Sequence, residues 1–110
     1  MSKEGIFIAP VKYMNPAREP SNAVVTLSTA NKEYDHQLPV GCKKFTLHCR
    51  DGTAFRLSYK QGTVASSDTP YFTVKANTSY YEDGLDVGPG VRLYFACASA
   101  SKVVEIIQWI

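Results

Sequence analysis

The residues able to do chemistry are few and scattered. The chain has 2 histidines, His36 and His48, and 3 cysteines, Cys42, Cys49 and Cys97. Nucleophilic catalysis needs a base held beside the nucleophile. His48 falls on the polar phase of an alternating segment and His36 lies between Asp35 and Gln37, so both read as exposed strand residues. No Gly-x-Ser-x-Gly elbow occurs. A zinc site calls for closely paired ligands such as Cys-x-x-Cys, and no such pair is present. Cys49 and Cys97 sit on apolar phases, where a free thiol packs as a small hydrophobe.

The acid cluster Glu82-Asp83-Gly84-Leu85-Asp86 lacks the spacing of a calcium loop and reads as a polar turn. Gly88-Pro89-Gly90 is not followed by a helix whose N-terminus would cradle phosphate. Asn77-Thr78-Ser79 is a glycosylation sequon that matters only on a secretory route. Tyr80, Tyr81, Tyr94 and Trp109 are the remaining handle: aromatics on strands are mostly core or cross-strand pairs, but a row of them makes a stacking face for sugars or bases. The expectation is a binding protein with no enzymatic activity, no cofactor and no metal.

Charge and composition narrow the partners. The 12 basic and 10 acidic residues leave a net +2, and the only adjacent basic pair is Lys43-Lys44, far from the concentrated basic surface that nucleic acid demands. No apolar run approaches the ~20 residues of a membrane helix. The N-terminus shows no signal-peptide pattern. An odd number of cysteines without a secretory signal favours reduced thiols. At 110 residues and 45% hydrophobic, the chain fits one domain with a core of its own.

The elements that would position these residues are strands. Two regions are expected: an extended, proline-containing arm over residues 1–22 and a single β domain over 23–110. In the arm, Pro10, Pro16 and Pro20 forbid a regular helix, while Ile6, Phe7, Ile8, Val11, Tyr13 and Met14 are poorly suited to water. Such an arm either folds back on its own domain or reaches a neighbour, and those six residues are the candidate partner-binding set. Fully extended, it spans up to roughly 70 Å.

From Val24 onward, short strands alternate with turn signals. Strands are expected at Val24–Ser28, Glu33–Leu38, Lys44–Cys49, Ala54–Lys60, Tyr71–Lys75, Ser79–Glu82, Val91–Cys97 and Lys102–Ile110. Phe45, Leu47 and Cys49 share one face, as do Phe55, Leu57 and Tyr59 in the next segment. Asp51-Gly52 between these segments predicts a tight hairpin. The last strand is apolar on both phases, with Val104, Ile106 and Ile110 on one and Val103, Ile107 and Trp109 on the other, so both of its faces should be covered. About eight strands in this length suit an all-β antiparallel sandwich of jelly-roll type.

The stretches EYDHQLPVGCKKFTLHCRDGTAFRLSYKQG, YFTVKANTSYYE and VRLYFACASASKVVEIIQWI together resemble the small capsid decoration, or staple, proteins of tailed bacteriophages, closest to those of epsilon-15-type short-tailed phages. The resemblance lies in the order of strand and turn residues and in no catalytic motif. It implies a jelly-roll-like domain on the outer surface of the virion head, assembled in the host cytoplasm. It also implies a major capsid protein as partner, a second copy bound across a local two-fold, and a role in stiffening the expanded, DNA-filled head. The alternatives are a carbohydrate-binding β-sandwich module and a tail or fibre component. A cupin-type enzyme needs a histidine cluster, which two separated histidines do not supply.

Overall fold

The computed structural model describes residues 19–66 and 70–110. These residues form eight strands: β1 (Pro20–Leu27), β2 (Tyr34–Gln37), β3 (Lys44–Cys49), β4 (Phe55–Ser58), β5 (Phe72–Val74), β6 (Tyr80–Glu82), β7 (Arg92–Ala96) and β8 (Lys102–Trp109). They assemble into two four-stranded sheets, β1-β8-β3-β6 and β2-β7-β4-β5. Every pairing is antiparallel. Residues 1–18 of the expected arm, with its candidate residues Ile6, Phe7, Ile8, Val11, Tyr13 and Met14, lie outside the described residues, while Pro20, Ser21 and Asn22, also assigned to the arm, belong to β1.

All eight expected strands are present within a few residues of their expected bounds. The first begins earlier than Val24, because Ser21 and Asn22 pair with Gln108 and Ile107. Pro20 is tolerated there: it is the first residue of an edge strand, where a missing N–H costs least.

One core fills the space between the sheets. Phe45, Leu47, Val104 and Ile106 come from the first sheet and Phe55, Leu57, Leu93 and Phe95 from the second, all essentially inaccessible to solvent. The alternation read from sequence explains this, since successive side chains in a strand point to opposite faces. Phe55 and Phe95 meet edge to face, with ring centroids 6.1 Å apart. Cys42, Cys49 and Cys97 are free and buried, and burial raises the thiol pKa of Cys42 and Cys49.

Two expectations need correction. Asp51-Gly52 does not close a hairpin, because β3 and β4 belong to different sheets. The tight turn is real: Gly52 adopts φ 83° and its N–H donates to the Cys49 carbonyl at 3.0 Å. The Asp51 carboxylate then accepts from Thr53 N at 3.1 Å, Thr53 Oγ1 at 2.7 Å and Lys102 Nζ at 2.6 Å. Local capping thus satisfies the turn without a partner strand, and the chain crosses the core. The lysine, first among these contacts, holds Asp51 well below the usual carboxylate range. Tyr59 is also less buried than expected: it lies beyond the end of β4, about half exposed, with its hydroxyl 3.2 Å from that of Tyr80.

Candidate interaction surface

The outward phase of the β1-β8-β3-β6 sheet is built row by row from the strand register. One row runs Val24, Glu105, His48; the next Asn22, Ile107, Thr46, Tyr81; the third Pro20, Trp109, Lys44. Val24 is 58% exposed, Ile107 39% and Tyr81 71%. Among the described residues, nothing covers this face of β8, although its apolar outer phase predicts a cover.

Two concavities lie on the face. One, of about 320 Å³, is lined by Asn22, Val24, Thr46, His48, Glu105 and Ile107 among others. The other, of about 240 Å³, lies between Lys44, Thr46, Tyr81, Glu82, Asp83 and Trp109. His48, Arg50 and Glu105 along the first pair with one another. His48 Nε2 donates to Glu105 Oε1 at 2.8 Å and Arg50 Nε donates to Glu105 Oε2 at 2.7 Å. Arg50 and then His48 lower the Glu105 pKa. The Lys44 ammonium stands 4.7 Å from the Trp109 ring centroid, a cation–π contact that partly shields the indole.

The structure redistributes the other residues that sequence singled out. Tyr81 and Trp109 share the second concavity. Tyr80, adjacent to Tyr81, must point the opposite way. It packs on Phe45 and Phe72, with centroids at 6.0 and 5.3 Å. Its hydroxyl donates to the Glu82 carboxylate, and burial and that carboxylate push its pKa up. Tyr94 faces outward on the opposite sheet, paired with Asp35 and Ser58. The four rings therefore do not form one platform.

His48 is exposed as expected, but His36 is not. His36 is half-buried, and its Nε2 donates to Gln108 Oε1 at 2.9 Å. Gln108, itself buried, donates onward to Ser21 Oγ at 3.3 Å. These contacts tie β2 of one sheet to β8 and β1 of the other. The acid cluster behaves as a turn, with Asp83 Oδ1 accepting from Gly84 N at 2.7 Å. Among the described residues, no three histidine, cysteine or acidic side chains converge on a metal-sized site. No helix among them is long and apolar enough to cross a membrane.

Val24 and Thr46 were missed as surface residues of interest. The available signal was the doubly apolar last strand; the neighbours flanking its outer face follow only from strand order. No protein-family model, curated protein or solved structure matches the chain.

Proposed function

We propose that this chain is a virion structural protein without enzymatic activity. It decorates the outer surface of a phage head and staples neighbouring major capsid subunits, stabilising the expanded, DNA-filled shell. The observation that carries the reading is the apolar face presented by Val24, Ile107 and Tyr81, exposed among the described residues. A patch of this kind on a small domain marks a surface made for contact. The resemblance of residues 33–110 to decoration proteins supplies the capsid as the partner.

The fold proposed with it is a jelly roll. Its support is the pairing pattern: β1 with β8, β2 with β7, β3 with β6, and β4 with β5. That is one long antiparallel ribbon folded over on itself, closed into sheets by the β3–β8 and β4–β7 pairs. The proline-containing segment before β1 is proposed as a second contact, through Ile6, Phe7, Ile8, Val11, Tyr13 and Met14. Two weak contacts on one repeating lattice reinforce each other through effective concentration.

The test mixes purified protein with heads stripped of their decoration and pellets the heads. Saturable co-sedimentation at a fixed ratio to capsid subunits is expected, and deleting residues 1–14 should abolish or strongly weaken it while leaving the fold intact. No binding to expanded heads would end the staple reading; equal binding by the truncated protein would end the arm's part in it.

A second reading, a carbohydrate-binding module, draws on one observation: Tyr81 and Trp109 line the same concavity with Lys44, Glu82 and Asp83. Saturable binding to a glycan array that is lost in Tyr81→Ala would favour it.

A further inference from the structure

Lys44 stands between two seats for its charge. On one side its register partner is Trp109 of β8. On the other, β3 pairs with β6 through Phe45 with Glu82 and Thr46 with Tyr81, so the next position along β6 brings Asp83 opposite Lys44. The lysine takes the ring: its ammonium lies 4.7 Å from the indole centroid. Asp83 is left with one neutral donor among the described residues, the N–H of Gly84 at 2.7 Å. Elsewhere in the domain the pattern is the reverse, since Asp35, Asp51 and Glu105 each hold a cation.

These groups stand around one concavity, of about 240 Å³. Its central strand is β3, which contributes Lys44 and Thr46. On one flank β8 contributes Trp109, and on the other β6 contributes Tyr81 and Asp83. Tyr81 is 71% exposed, so its ring is open to a ligand. Trp109 is half-buried, and part of its remaining surface lies under its own lysine. A pyranose binds an aromatic site by laying the C–H groups of one ring face on an indole or a phenol, and here the larger of the two platforms is obstructed. At an exposed site, a cation–π contact and a surface ion pair are of similar, small strength. Moving the ammonium from the ring to Asp83 therefore costs little and uncovers the indole.

We propose that Lys44 is a gate on this concavity: its ammonium swings from Trp109 to Asp83 when the pyranose ring of a glycan stacks on the indole. The gate rests on the carbohydrate reading of the concavity and assigns its parts. Trp109 is the platform, Tyr81 the far wall, and Asp83 the seat that receives the displaced charge. Lys44 keeps the indole covered until a sugar replaces it. Binding thereby comes to depend on a carboxylate that need not touch the sugar.

Two measurements separate the gate from the reading it rests on. Trp109 is the only tryptophan, so indole fluorescence reports this ring alone. Without any sugar, Lys44→Ala should raise the quenching of that fluorescence by acrylamide. Unchanged quenching means that the lysine does not cover the ring, and overturns the gate whatever sugars do. Glycans retained by the wild-type chain on an array are then titrated against four chains: wild type, Lys44→Ala, Asp83→Asn and the double variant. Asp83→Asn should weaken binding about fivefold, the upper range for an exposed ion pair. In the Lys44→Ala background the same change should have no effect, because no charge remains to be reseated, and a double-mutant cycle reads that coupling. Equal losses in both backgrounds mean that Asp83 contacts the sugar itself, and a loss in neither means that Lys44 does not move there. Either result overturns the gate and leaves the carbohydrate reading standing. A wild-type chain that retains no glycan ends that reading and the gate with it. Lys44 is partly and Asp83 fully exposed, and the urea midpoint of each variant checks that it is folded.

Discussion

The two sheets share one core, but their outer faces differ in kind. Outside β2-β7-β4-β5, the side chains satisfy one another. Arg92 pairs with Asp35 and donates to Gln37 Oε1 at 3.1 Å, and Arg56 donates to Asn31 and stands 5.7 Å from the Tyr71 ring centroid. None of the exposed large hydrophobic residues lies on that face. Outside β1-β8-β3-β6, Val24, Ile107 and Tyr81 face solvent, while Arg50, Glu105 and His48 pair with one another and Lys44 lies over the Trp109 ring. Exposed polar pairs contribute little to stability. The polar face therefore suits contact with water, and the apolar face suits a partner. An isolated exposed valine would need no explanation, but three large apolar side chains on one four-stranded face do.

The largest expected effect breaks that asymmetry from the apolar side. Ile107→Asp places a carboxylate at the centre of the exposed row, beside Thr46 and Asn22. A buried charge without a partner costs a docked interface heavily, so binding to stripped heads should fall about 100-fold, the scale of a central interface residue. The isolated domain should lose far less, because Ile107 is already 39% exposed. Co-sedimentation and urea unfolding on the same variant separate the two. A variant that binds normally would remove this face from the proposed contact.

The next effect lies at the connection that lets one chain build two different faces. Gly52 turns the chain from β3 into the other sheet at φ 83°, and a Cβ there would come 2.2 Å from Asn77 Oδ1. Gly52→Ala should lower stability by about 1–2 kcal/mol, the usual cost of a left-handed backbone at an L-residue. Urea unfolding measures it. A neutral result would mean that the turn relaxes and the crossover is not fixed by Gly52.

How much of this was legible follows from where each signal resides. The alternation of Phe45, Leu47 and Cys49 is local, so the strand and its buried face could be read from adjacent residues. The doubly apolar last strand was equally plain, and it pointed to the face now found uncovered. Asp51-Gly52 misled because a tight turn looks the same whether the next strand returns beside the last or crosses the core; β7 and β8 decide that, and they begin only at Arg92 and Lys102, far along the chain. His36 misled for the same reason, since its partner Gln108 is 72 residues away. The place of β1 at the edge of its sheet, among the described residues, was illegible because only strand order reveals it. The arm's apolar residues were named from sequence and lie outside the described residues.

The smallest effect tests the comparison from its polar side. Arg92→Ala removes the guanidinium that holds Asp35 and Gln37, both on β2. The Arg92 and Asp35 side chains are 42% and 43% exposed, so water and salt already screen the pair. The loss should be at most about 1 kcal/mol and should shrink further in high salt. Head binding should be unchanged, because the proposed capsid contact does not use this face. If Arg92→Ala instead weakened binding as much as Ile107→Asp, the polar face would be a partner surface too. The apolar residues outside β8 would then no longer distinguish one side of the domain from the other.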